Sequence, residues 1–372
     1  MSPNQVIINL DAIRHNFRRI KALSDPRGVI AVVKSDAYGH GMIEVARTLE
    51  PEGPAYFAVF ELDEAVKLKQ AGCKRPILIL MGPRRDDIPT VVSSGFTVCL
   101  FREEIARTLS EQAVAAGLVV PVHIKVDTGM SRLGVNWTAL PRFLEQVVSL
   151  KGIRVDGLFS HLAASDEPDN SFTDTQRRRL ASAVEAAQAM KIPPEQIHVS
   201  NSGAVLNGQE EPWGFVRPGL ALYGSAPCPA LEAKLALKPA MTFASEIIQV
   251  KQVPPETPIS YGCTYTTPGP ATIATIPAGY DDGYNRLLSN RGEVLIRGRR
   301  APVVGRVCMN LTMVDVSHIS EVSVGDEVVL LGRQGAEQIT AEEIASKIDS
   351  ISYEVYCTVG KSNSRHYVSK PE

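Results

Sequence analysis

A chain of 372 residues, 44% hydrophobic and 22% charged, is long enough for two domains and has the composition of an ordinary globular protein. Its formal net charge of -2 lacks the basic surplus that a nucleic-acid or anionic-membrane partner needs, so neither is expected. The first residues, MSPNQVIINLDAIRHNF, hold no basic segment leading into a long apolar run, and no stretch reaches the roughly 20 apolar residues of a membrane helix. A cytoplasmic protein without a signal peptide is expected. Its cysteines (Cys73, Cys99, Cys228, Cys263, Cys308 and Cys357) form no CxxC pair, which argues against a zinc site or a disulfide framework and for a reducing compartment. No metal site is expected.

In chain order, short apolar runs at 28–34 (GVIAVVK), 56–60 (YFAVF), 76–80 (PILIL), 96–101 (FTVCLF), 120–127 (VPVHIKVD), 155–161 (VDGLFSH), 196–201 (QIHVSN) and 213–219 (WGFVRPG) read as strands. Between most of them lie segments such as MIEVARTLE, LDEAVKLKQAG, REEIARTLSEQAVAAG, TALPRFLEQVVSL and FTDTQRRRLASAVEAAQAM. There apolar residues recur at helical spacing, with charges on the opposite face. Several close on a glycine, as at Gly72 and Gly117, where a left-handed cap is least strained. Eight such units over residues 1–236 predict an α/β fold, a TIM-type (β/α)8 barrel. An open doubly wound sheet usually has fewer strands, and no glycine-rich dinucleotide fingerprint follows the first one. From about Leu237 the texture changes to apolar runs separated by turns (MTFASEIIQVKQV, ATIATIPAGY, GEVLIRGRRAPVVGRVCMNLTMVDV, DEVVLLG), so residues 237–372 are predicted to form a mostly-β second domain. One late helix, ITAEEIASKI, opens with Thr340 and Glu343 at capping-box spacing.

A barrel of this kind draws its catalytic groups from the C-terminal ends of its strands and the loops beyond them. Here those ends carry Lys34, then His123, Lys125 and Asp127, then His161, then Ser200-Asn201-Ser202-Gly203, then Arg217-Pro218-Gly219. Lys34 follows five apolar residues, Val29 to Val33. Either its amine enters a low-dielectric site, where burial favours the neutral nucleophile, or it snorkels to solvent. In VHIKVDTG, Val122, Ile124 and Val126 face one side, toward the helices, and His123, Lys125 and Asp127 face the other. Two cations, Lys125 and Arg132, beside one carboxylate are unfavourable inside a protein. They reach solvent, form a structural ion-pair network, or meet negative charge from elsewhere. The last two strand ends lie where barrels often hold a phosphate, with the Ser202 hydroxyl and the Gly219 and Leu220 main-chain N–H groups as candidate donors.

Together, AVVKSDAYGHG, KVDTGMSRLG, HLAASDE, SNSG, VRPGLALYG, SYGCTY, GYDDGY, GRVCMN and SYEV, in that order from about Val6 to Tyr353, resemble the alanine racemases. The first motif is highly specific; SNSG alone is not. The resemblance implies a fold-type III enzyme dependent on pyridoxal 5′-phosphate (PLP), a barrel followed by a β-domain, working as a head-to-tail homodimer with composite active sites. It implies interconversion of L- and D-alanine, supplying D-alanine for peptidoglycan, with two acid/base groups: Lys34, the Schiff-base lysine, and Tyr261 of the partner subunit. By the same resemblance Tyr38, Ser202, Gly219, Leu220 and Tyr353 are phosphate ligands, and Arg217 faces the pyridine nitrogen. His161 is hydrogen-bonded toward the catalytic tyrosine, Arg132 and the backbone of Met309 contact the substrate carboxylate, and Tyr280 lines the access corridor. Lys125 corresponds to a lysine carbamylated by CO2, which turns a cation into an anion beside Arg132. Asn310 stands where the family usually has aspartate, and this keeps a serine or broad-specificity racemase as an alternative. Two further readings fit less well. A decarboxylase of the same fold type does not account for Arg217 and SYGCTY, and a non-catalytic PLP-homeostasis protein is a lone barrel. The tail YCTVGKSNSRHYVSKPE is given no role.

Overall fold

The computed structural model describes residues 3–192, 194–208, 211–228 and 236–369. The chain opens with strand β1 (Gln5–Asn9) and the helix Leu10–Ser24, then enters the barrel. Its strands are β2 (Gly28–Val32), β3 (Tyr56–Val59), β4 (Ile77–Ile79), β5 (Thr97–Leu100) and β6 (Val120–Asp127), then, past a short β7 (Val135–Asn136) beside β6, β8 (Ile153–Phe159), β9 (Gln196–His198) and β10 (Phe215–Val216). All are parallel, and the barrel closes where Phe215 and Val216 pair with Gly28 and Val29. All eight predicted strands are present. A parallel barrel strand is covered on both faces, which is why these read as continuous apolar runs: Val29 to Val33 and Tyr56 to Val59 are buried throughout. The helices each bury one stripe, as Leu140–Val148 does with Leu140, Phe143, Leu144 and Val147.

The second unit contains β11 (Met241–Glu246), β12 (Gln249–Val253), β13 (Pro258–Ile259), β14 (Tyr265–Thr266), β15 (Ala271–Ile276), β16 (Glu293–Ile296), β17 (Arg299–Pro302), β18 (Thr312–Asp315), β19 (Glu327–Gln334), β20 (Glu337–Ile339) and β21 (Arg365–Val368). The expected late helix spans Ala341–Lys347. Thr340 caps it, accepting from the Glu343 N–H at 3.1 Å. The reciprocal half of the box is missing because the Glu343 carboxylate is taken by Arg300 and Lys347.

β1 is not part of the barrel. It lies between β11 and β21 in the large sheet of the second unit, antiparallel to the first (Gln5↔Ala244) and parallel to the second (Val6↔Arg365). Val6 and Ile8 point into the core from this strand, at 0% exposure. The tail to which no role was given forms most of the helix Ser352–Ser362 and then β21. Among the described residues no helix is long and apolar enough to cross a membrane.

Candidate active site

β2 does not pass directly into a right-handed helix. Ser35, Asp36, Ala37 and Tyr38 have φ of 54° to 55°, and Gly39 follows at 84°. This is one left-handed turn built from non-glycine residues, each of which adds roughly 1–2 kcal/mol of strain. Its surroundings hold it in place. Glu64 accepts from the Ser35 N–H at 2.5 Å with one oxygen and from the Phe60 N–H at 2.8 Å with the other, tying the ends of β2 and β3 together. Asp36 accepts from the Met42 N–H at 2.7 Å and pairs with Arg365 at 2.5 Å, while Arg365 donates to the Gly39 carbonyl at 3.1 Å. Buried His40 stacks on Tyr223 at 4.5 Å. Gly39 is required where the C-terminal helix touches the turn, because a Cβ there would lie 2.3 Å from the Tyr356 carbonyl oxygen.

The turn aims Lys34 and Tyr38 into a cavity of about 720 Å³ at the barrel mouth. Lys125, Arg132, His161, Ser202, Arg217, Gly219, Leu220 and Tyr353 line the same cavity, whereas His123 and Asp127 from the same strand ends do not border it. Phe159 forms its floor, with Lys125 Nζ 4.5 Å and Arg217 Cζ 5.3 Å from the ring centre. Arg217 is buried and donates to the Ser160 carbonyl at 2.7 Å, to His198 Nδ1 at 2.7 Å and to His161 Nδ1 at 3.2 Å. Ser202 Oγ accepts from the main-chain N–H groups of Gly219 at 3.0 Å and Ala221 at 3.2 Å, which leaves its own proton to donate. The Gly219 N–H therefore points at Ser202. A side chain at Gly219 has no room, since its Cβ would sit 2.3 Å from the Tyr38 hydroxyl.

Lys34, Lys125, Arg132 and Arg217 form no ion pair with any described residue. The structural ion-pair network is thus not what forms here: Asp127 instead closes its own turn by accepting from the Gly129 and Ser131 N–H groups. Burial, then the Arg132 charge, lowers the pKa of Lys34. Burial brings Lys125 down to about 8 and Arg217 to about 10. Burial first, and Arg217 next, holds His161 well below the usual histidine range, so it is neutral. The described lining of the cavity thus carries four basic side chains and no carboxylate.

Tyr261, Tyr280 and Met309 gather elsewhere. They line a second cavity of about 510 Å³ with Arg286, Arg306 and Asn310, and none of them borders the first. Tyr261 stands 73% exposed on a 3-10 turn after Ser260, whose φ is 66° and whose hydroxyl donates to the Arg306 carbonyl at 2.7 Å. Gly279 lets the GYDDGY and CMN segments meet backbone to backbone, as its Cβ would lie 2.3 Å from the Cys308 and Met309 carbonyl oxygens. Asn310 donates to Asp281 at 3.4 Å. Within one chain, then, the candidate tyrosine and the candidate lysine belong to different cavities. Sequence reasoning missed Glu64, Phe159 and His198. The only signal was that Gln196 and His198 alternate onto the same face as one another.

Comparison with known proteins identifies the family and agrees with the fold. The family description "Alanine racemase, N-terminal domain" matches residues 8–227 and "Alanine racemase, C-terminal domain" matches residues 240–367. An alanine racemase of Syntrophobacter fumaroxidans is 45% identical over 370 residues, covering 99% of this chain and 98% of that one. Among solved structures, an alanine racemase of Clostridium difficile 630 superposes with a TM-score of 0.91 at 36% identity, covering 99% of this chain and 96% of that one. One from Bartonella henselae with covalently bound pyridoxal phosphate has a TM-score of 0.89 at 28% identity, covering 98% and 99%. Barrel, β-domain and site define the chain as an enzyme, an isomerase of the amino-acid racemase class. It belongs to the alanine racemase family.

Proposed function

We propose that the protein interconverts L- and D-alanine with PLP as cofactor, using Lys34 and Tyr261 of the partner subunit as the two acid/base groups, and that it supplies D-alanine for peptidoglycan in the cytoplasm. The observation that carries this reading is the cavity of cations without counter-ions, into which a lysine amine of lowered proton affinity projects. PLP and an amino acid bring the missing anions: a phosphate and a carboxylate. The residues fit them. Ser202, Tyr38 and Tyr353 would hold the phosphate beside Gly219 and Leu220, Arg217 would donate to the pyridine nitrogen, and Arg132 would hold the substrate carboxylate, with the Met309 main chain completing it from the other subunit. Bound through its aldehyde, the cofactor supplies an electron sink for the substrate α-carbon.

The protein's own part is proton handling on two faces. Lys34 Nζ takes or returns the α-proton on one face, and Tyr261 of the partner subunit does so on the other. Arginine donates only, so the His161 Nδ1 it contacts is unprotonated and His161 keeps its proton on Nε2, available to a phenol oxygen. The exposure of Tyr261 away from its own chain's Lys34 supports a composite site, with residues up to 236 binding the cofactor, residues from 237 delivering the second base and Tyr280 lining the corridor between them. Asn310, where the family usually has aspartate, donates to Asp281 and keeps serine or a broader range as the competing substrate choice.

Assays of L-alanine, L-serine and L-lysine with and without PLP are expected to show cofactor-dependent racemisation with the highest kcat/KM for alanine. A higher value for serine selects the competing choice, and no turnover of any amino acid rejects the function. Lys34→Ala and Tyr261→Phe should each be inactive alone. Dissociated, mixed and reassociated, they should recover about a quarter of wild-type activity, because half the dimers are hybrids with one intact site of two. A mixture that stays inactive rejects the composite site. Lys125, with its pKa near 8, has a neutral amine fraction that grows as pH rises through that value, and only the neutral amine adds CO2. Incubation with 13C-bicarbonate should therefore give a carbamate NMR signal that strengthens from neutral to mildly alkaline pH and is absent in Lys125→Arg. No signal in the wild type rejects carbamylation.

A further inference from the structure

The polar chain that starts at Arg217 continues down the barrel axis, away from the mouth. His198 Nε2 lies 2.8 Å from His123 Nδ1, and both residues are at 0% exposure. His123 pairs across the sheet with Gly157, and Gly157 with Gln196 on the next strand. Since Gly157 has no side chain, the His123 ring occupies the space above it: a Cβ there would lie 2.8 Å from that ring. Neither His123 Nε2 nor Gln196 Oε1, both buried, has a hydrogen-bond partner among the described residues, so each is the complement that the other lacks.

The donor inventory fixes the direction of every link. A guanidinium has no acceptor, so the His198 Nδ1 facing Arg217 at 2.7 Å is unprotonated and the ring proton sits on Nε2. That proton is donated to His123 Nδ1, which forces the His123 proton onto Nε2, and the buried acceptor on the neighbouring strand that lacks a donor is Gln196 Oε1. Reversing one link would set two donors or two lone pairs together in a dry core, where an unmet polar group is costly. Burial keeps both rings neutral, His123 with its pKa lowered to about 4 and His198 well below the usual range.

We propose that His123 and Gln196 are positioning residues of the active site: His123 accepts the Nε2 proton of His198 and braces that ring, and so holds the Arg217 guanidinium in the orientation it presents to the cavity. The proposal rests on the racemase reading only for what Arg217 faces; the tautomers do not depend on it. The chain has 7 histidines, so 15N-histidine labelling of the full-length, PLP-loaded protein, assigned with single-histidine variants, resolves the rings individually. Two-bond 1H–15N spectra should show His198 and His123 as neutral Nε2–H rings, unchanged from about pH 6 to about pH 9. An Nδ1–H tautomer or an imidazolium at His198 overturns the proposal, whether or not the protein racemises any substrate. A second comparison separates positioning from packing. Gln196→Met keeps the volume but not the acceptor, and should leave the His123 Nε2 proton without a partner and move its 1H and 15N signals, shift the absorption of the bound cofactor and lower kcat about tenfold with KM little changed. Gln196→Glu restores an acceptor, and should restore the Nε2–H signal and the wild-type absorption. Equal loss in both variants, or loss in neither, overturns the role of Gln196, and the wild-type spectrum decides for His198 if a variant does not fold.

Discussion

Replacing Lys34 with alanine is expected to lower kcat for racemisation by about 10⁴-fold or more, since under the proposed function one side chain would serve as both the cofactor's attachment point and an acid/base group. The loss should come without unfolding. Lys34 makes no ion pair among the described residues, and its nearest carboxylate, Glu64, spends its oxygens on main-chain N–H groups. Folding lowers the pKa of Lys34, so the charged amine opposes folding at low and neutral pH, and that opposition fades as pH rises toward the usual lysine range. Thermal melting of the cofactor-free proteins at neutral pH should therefore show a variant as stable as the wild type or slightly more so. Borohydride reduction with PLP should leave an adduct on the wild-type peptide that contains residue 34 and none on the variant. An adduct at another lysine, or activity above about a tenth of wild type, would remove the lysine from its assigned role.

The second large effect is expected at Arg217. Its guanidinium is buried, donates to two histidines and the Ser160 carbonyl, and stays a cation at neutral pH with its pKa near 10. Under the proposed function it would offer the pyridine nitrogen a hydrogen bond without readily giving up a proton, which would keep the electron sink weak and suppress side reactions. Arg217→Glu sets an acceptor against the Ser160 and Val199 carbonyl oxygens and the unprotonated nitrogens of His161 and His198. Racemisation should slow by about 10²–10³-fold, the scale seen on removing one well-placed donor. The yield of keto acid per turnover should rise. If that yield stays flat while the rate falls, this explanation of reaction specificity is wrong.

Much of the architecture was legible in the sequence. Parallel strands buried on both faces must be continuously apolar, so the eight barrel strands stood out, and with them the polar residues at their ends. The left-handed turn was not legible, because Ser35, Asp36, Ala37 and Tyr38 include no glycine to signal it. The alternation in QVIIN marks a strand but says nothing about which sheet, and its partners lie at the far end of the chain. The separation of Tyr261 from Lys34 into different cavities also has no local signature. Nor does the axial histidine chain, since which groups meet inside a barrel is decided by how it closes.

The placement of β1 ties the two ends of the polypeptide to the chemistry. Among the described residues β21 has no neighbour in its sheet other than β1, and it carries Arg365, which clasps Asp36 and the Gly39 carbonyl of the strained turn. Trimming a few N-terminal residues would therefore unzip the C-terminal strand, release the clasp and let the lysine's backbone relax. Neither half can be cut out as a free-standing cassette: a barrel fragment would carry β1 as a sticky flap, and the other fragment would have a gap through the middle of its main sheet.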